Sequence, residues 1–230
     1  MDDAGTRAHD EERPGSLTRR TVLGAGALAT AGAVAPAAAS AQRRLRVLGA
    51  PRDGTNALEV FGTIVQDGIT LTGYGYLTRV SGLRDQLLYD GAQSEAGARF
   101  TFAATARVSA RQIRGSLFAV VAQGDLEIFF SSVPGADFAQ PASFTDGTLV
   151  ASYSSRYRNV LTVVAPDQAI TTVTGEIVQR QARRFRLAGR TLRLGRVGLG
   201  LRLEAQGPGV RTDPAIPRAV FDVAGHVLVA

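Results

Sequence analysis

The chain has no cysteine and no tryptophan, and only two histidines and one methionine in 230 residues. It also has no lysine: every one of its 26 basic residues is arginine. Each absence excludes something. Without cysteine there is no disulfide, thiol nucleophile, thiol redox couple or iron–sulfur ligation, so burial and pairing alone must hold the fold. Two histidines, His9 and His226, cannot furnish a zinc site, which draws three or four ligands from His, Cys and carboxylates. A Ser-His-Asp arrangement would depend on His226 alone, and no Gly-x-Ser-x-Gly elbow is present. Neither a phosphate-binding loop nor a dinucleotide glycine fingerprint opens a helix after a strand. No cofactor and no metal are therefore expected. The all-arginine basic set is what GC-rich coding gives; its consequence is charge that persists at any accessible pH and forks onto carboxylate or phosphate.

The charge is uneven. Residues 42–179 carry 12 arginines and 12 acids, whereas residues 180–230 carry 10 arginines against Glu204, Asp213 and Asp222. Eight of those arginines fall between Arg180 and Arg202 with no acid among them. Like charges on a shared sheet face cost stability unless something neutralises them, so Arg184, Arg186 and Arg193 are candidate anion-binding residues. A carboxylate on a neighbouring strand, Glu176 or Asp125, is the intramolecular alternative. The only aromatic residue in the cluster is Phe185. This argues against nucleic acid, whose single-strand binders offer stacking platforms.

At the N-terminal end, Thr18-Arg19-Arg20-Thr21-Val22-Leu23 leads into an Ala/Gly-rich apolar stretch that ends in Ala39-Ser40-Ala41. The run resembles a bacterial twin-arginine export signal. That resemblance implies export in the folded state, cleavage after Ala41 (Ala37-Ala38-Ala39 being a second site) and a secreted or extracytoplasmic protein. The apolar stretch is too short and too weakly hydrophobic to span a bilayer, and no later run is long enough to do so. The expected organisation is a signal peptide at 1–41, a linker at 42–57 and a single β domain at 58–230.

From Leu58 onward the apolar residues alternate every second position between glycine-marked turns, the pattern of antiparallel strands. Three hairpins are predicted. Asp67-Gly68 sets Phe61 against Tyr74 and Gly62 against Gly73. Gln123-Gly124 sets Phe118 against Phe129. Ala188-Gly189 sets Arg184 against Arg193. Further strands are expected at 98–109, 149–157, 159–165 and 169–179, with a loop at 208–217. About ten short strands following one another predict an all-β antiparallel meander, closed or nearly closed into a β-barrel, with a β-sandwich as the alternative. Closure removes the unpaired edges of an open sheet. In architecture alone the pattern is similar to barrels of the lipocalin or allene-oxide-cyclase/dirigent type, but it carries none of their signature residues and implies no site.

In the first hairpin Leu58, Val60, Ile64, Ile69, Leu71 and Leu77 fall on the core face. Glu59, Phe61, Tyr74 and Tyr76 fall on the other and are candidate cavity-lining residues. Tyr153 and Tyr157 share one face of their strand and suit a barrel interior or a sheet surface. Asp125 and Glu127 share another, a spacing common on solvent faces. The expected function is a non-enzymatic binder of a small apolar ligand or an anionic envelope polymer. A cofactor-free isomerase- or cyclase-like enzyme working through Glu59, Tyr74 and Tyr76, and a structural envelope protein, are the alternatives.

Overall fold

A computed structural model describes residues 45–213 and 215–230. Arg19, Arg20 and the cleavage position after Ala41 lie outside the described residues. The strands are β1 (Arg46–Leu48), β2 (Asn56–Asp67), β3 (Thr70–Val80), β4 (Phe100–Arg114), β5 (Leu117–Phe130), β6 (Thr148–Ala165), β7 (Gln168–Ala182), β8 (Arg184–Leu187), β9 (Arg190–Leu194), β10 (Gly200–Asp213) and β11 (Arg218–Val229). Eight of them close an antiparallel barrel in the order β10-β11-β2-β3-β4-β5-β6-β7, with β7 pairing back onto β10. The predicted barrel is thus the fold, and each neighbour but the closing pairs follows in sequence.

The remaining three strands form a small sheet in the order β1-β9-β8. The segment expected as a linker is partly structural: β1 pairs in parallel with β9, and Leu48 is fully buried. This sheet caps one end of the barrel. Phe185, Leu187, Leu192 and Leu194 turn inward from its alternating strands, and Phe185 packs on the rings of Phe100 and Phe130 at 5.6 and 4.8 Å. Gln179, on β7, fixes the cap to the wall by donating to the Leu194 carbonyl at 2.8 Å. A β-carbon at Gly195 would collide with the Gln179 side-chain oxygen, and Gly195 also has φ +63°, so the turn after β9 requires glycine.

Three predicted details are corrected. The first turn is Gly68-Ile69, with Gly68 at φ +61°, because positive φ at the first central position gives the hairpin twist. The register therefore moves: Phe61 opposes Tyr76 and Gly62 opposes Gly75. No hairpin forms at Gln123-Gly124, since β5 runs straight through it; the turn lies at Gly115, with φ +58°, and Phe118 opposes Ile113. Apolar residues flank Gly124 on both sides and alternate across it, which a sequence reading cannot tell from a turn. The stretch at 208–217 is mostly strand, with Pro208 at a gap in the β10–β11 ladder where no amide is needed. The hairpin at Ala188-Gly189 forms as predicted, with Arg184 opposite Arg193.

Candidate functional site in the barrel lumen

Alternation decides which side chains enter the barrel. On β7 the pattern is nearly perfect, every second residue being buried from Thr171 to Gln179. The lumen holds a cavity of about 90 Å³. Its wall is aliphatic, Phe102 and glycine, except for Tyr153, Tyr157 and Asn159, all from β6. Glycines make room for the rings: a β-carbon on Gly62 would stand 2.7 Å from the end of Phe102, and one on Gly175 would stand 2.9 Å from the ring of Tyr157.

Tyr153, Ser155, Tyr157 and Asn159 form an inward polar stripe at successive alternate positions of β6, each more than nine-tenths buried. The Asn159 side-chain oxygen is buried and meets no hydrogen-bond partner among the described residues. A buried acceptor left in this state costs about 1–3 kcal/mol. Burial pushes the Tyr153 phenol well above its ordinary pKa. It does the same to Tyr157, with the Ser155 hydroxyl acting in the opposite sense and the Asp125 charge adding to the rise. Both phenols are thus neutral hydrogen-bond donors over the physiological range. Among the described residues no carboxylate or imidazole lines the cavity.

The other predicted site residues lie elsewhere. Glu59, Phe61, Tyr74 and Tyr76 do not line the lumen; they project from the outer wall. The expected core face of the hairpin points inward except for Ile69, which the shifted turn leaves 47% exposed, and strand alternation sends the opposite face out. Glu59 pairs with Arg79 at 3.4 Å. Phe61 and Tyr76 touch across the strands at 5.7 Å, and Phe138 packs on Phe61, Tyr74 and Tyr76 at 6.0–6.3 Å. Phe138 and the fully buried Phe144 belong to the 131–147 connection, which straps this wall and is anchored where Thr101 donates to the Phe144 carbonyl at 2.7 Å. Burial under the strap raises the Tyr74 and Tyr76 pKa values, with smaller contributions from Asp222 and Glu95 respectively. Asp125 and Glu127 are on the outer face of β5. His226 is also outside, 3.9 Å from Glu204.

Arg184 and Arg186 are exposed on the outer face of the cap. Arg193, between them and Val47, is half-buried, and its Nε atom meets no partner among the described residues. None of the three makes an ion pair with a described carboxylate, so neither Glu176 nor Asp125 neutralises them.

Comparison with protein-family models, with curated proteins and with solved structures gives no match. Any functional reading rests on the geometry.

The luminal residues were partly legible. The Tyr153/Tyr157 spacing put both on one face, and the lumen is where that face points. Asn159 was assigned to a separate strand beginning there, so the four-residue stripe was missed. Reading β6 as one continuous strand, with no turn residue between Tyr157 and Asn159, would have found it.

Proposed function

We propose that the mature chain is an exported, non-enzymatic binding protein that holds a slender apolar molecule bearing one polar group inside the barrel. The observation that carries this reading is the unpartnered Asn159 oxygen in a lumen that is apolar apart from the β6 stripe. A ligand hydroxyl or amide would satisfy it, with the neutral Tyr153 and Tyr157 hydroxyls available to a ligand carbonyl. Pockets for drug-sized ligands run to about 300–1,000 Å³, so a cavity of about 90 Å³ suits a narrow chain rather than a fused ring system. Export through the twin-arginine route accords with a ligand loaded before secretion.

The enzyme alternative has less support, because Glu59, Tyr74 and Tyr76 do not line the luminal cavity with the β6 stripe. An anion-binding role for the cap is a second reading. It is supported by Arg184 and Arg193, which stand opposite one another without a carboxylate partner.

Native mass spectrometry of the protein recovered from its host's culture supernatant tests the first reading. A retained small molecule, or stoichiometric uptake of a short-chain aliphatic alcohol or amide by the empty protein, is the expected result. A protein that is empty and takes up no such chain would refute luminal binding. Salt-sensitive binding to an anionic polymer that Arg184→Gln abolishes would then favour the cap.

A further inference from the structure

The two ends of the barrel differ. One is plugged by the cap sheet. At the other, where the β2–β3, β4–β5, β6–β7 and β10–β11 connections lie, is an open mouth of about 190 Å³ lined by the ends of β2, β4, β5, β6, β7, β10 and β11 with Asp167 and Pro217. A group of exposed aliphatic side chains lies at this mouth, although others, among them Val133 and Val197, are exposed elsewhere. Ile69, Ile113, Leu117, Val164, Val210 and Ile216 all lie on the rim or its strand ends, and Ile113 and Val164 are 58% and 57% exposed. Single exposed aliphatics are ordinary, but a grouped set on one rim marks an interaction surface.

The rim is also prearranged. The Gly68 amide donates to the Pro217 carbonyl, the Val108 amide to Ile69, the Val163 amide to Ser116 and the Arg211 amide to Asp167, at 2.8–3.1 Å. Pairing of β3 with β4 ends at Arg107, whereas β4 continues to Arg114 against β5. The barrel wall is therefore taller on one side, forming a lip roughly 20 Å long at strand rise. Arg107, Arg111 and Arg114 are spaced along that lip, exposed and with no ion pair to a described carboxylate.

We propose that this mouth docks onto an anionic lipid surface, with the rim aliphatics entering the acyl boundary and the lip arginines meeting the headgroups. Apolar side chains flanked by arginine are the composition that seats a protein at a bilayer interface, and each arginine near an anionic surface adds attraction. The contact is with the rim only. The outer wall of β6, β7 and β10 presents Arg156, Arg158, Glu176, Arg202 and Glu204, the reverse of the apolar band that a spanning barrel needs. Of the carboxylates at this mouth, Asp67 is neutralised by Arg218 at 2.9 Å and Asp167 is outnumbered by the three lip arginines. The proposal stands on the rim and does not depend on what the lumen holds.

The absence of tryptophan makes the test direct. In the full chain, Val164→Trp places a sole indole on the rim, and Val197→Trp places one at the capped end, where Val197 is also exposed. With vesicles containing anionic phospholipid, the rim indole shifts to the blue and is quenched by brominated acyl chains, while the cap indole does neither. Arg111→Gln/Arg114→Gln lowers partitioning to anionic vesicles by ~10-fold or more, and Ile113→Asp abolishes it with the far-ultraviolet spectrum unchanged. A rim indole that stays in water, a shift at the cap position instead, or a rim indole buried without lipid in a dimer would each overturn the proposal.

Discussion

Asn159 illustrates how one side chain can carry a functional argument. Its oxygen sits in an apolar tube without a partner, a condition that folding alone does not favour. Replacing it with leucine removes the desolvated acceptor and adds apolar surface. Asn159→Leu is expected to leave the empty protein as stable as before or more stable by about 1 kcal/mol in urea unfolding. Affinity for a luminal ligand is expected to fall at least ~10-fold, the worth of one buried hydrogen bond of that size. A variant that is destabilised and binds unchanged would assign Asn159 a structural role. Arg193 is a second residue with an unmet group, its Nε, but on the outer side of the cap. Its opposition to Arg184 was predictable because the Ala188-Gly189 turn, with both residues at positive φ, fixes the register.

At the scale of elements, the cap sheet connects sequence pattern to barrel closure. Its inward residues, Phe185, Leu187, Leu192 and Leu194, alternate with arginines, so one short hairpin presents an apolar plug and a basic exterior together. The plug is strongly coupled to the barrel through the Phe185, Phe100 and Phe130 rings. Phe185→Ala is expected to cost about 3–5 kcal/mol of stability, the usual loss for a buried phenylalanine, read as a lowered urea midpoint. A midpoint that does not move would mean that Gln179 and β1 hold the cap without the ring. The strap at 131–147 is the element that the sequence concealed. It has no period, and only its rings on the outer wall, Phe138 and Phe144, explain why Tyr74 and Tyr76 are half-buried while facing away from the lumen.

For the whole molecule, the buried phenols make stability depend on pH at the alkaline end. Tyr153 and Tyr157 are both raised above the ordinary value of 10.0 by burial. The unfolded chain therefore loses those protons first. Their contribution is fully present below about pH 10 and is lost as pH rises through the folded-state values. Thermal unfolding between pH 8 and 11 is expected to show a falling midpoint whose slope shrinks in Tyr153→Phe/Tyr157→Phe. An identical slope in that variant would place the alkaline sensitivity elsewhere.

The sequence by itself determined what local geometry controls. Alternation with period two sorted Leu58, Val60, Leu71 and Leu77 from Glu59, Phe61, Tyr74 and Tyr76. Glycine marked where chains reverse, the absence of cysteine favoured a closed sheet, and the arginine count located the basic quarter of the chain. It could not say which of two faces becomes an interior, because both faces of a strand look alike until the sheet curls; a face that mixes Thr and Tyr can line a cavity or lie beneath a strap. Nor could it tell Gln123-Gly124 inside a long strand from a turn, since the outcome depends on β4 and β6 pairing along the full length of β5. Only closure of the barrel assigned the lumen to β6, put the apolar rim and the basic lip at one mouth, and sent the arginine hairpin to the opposite end. Those placements come from pairing between strands far apart in the chain, a long-range property that no local window contains.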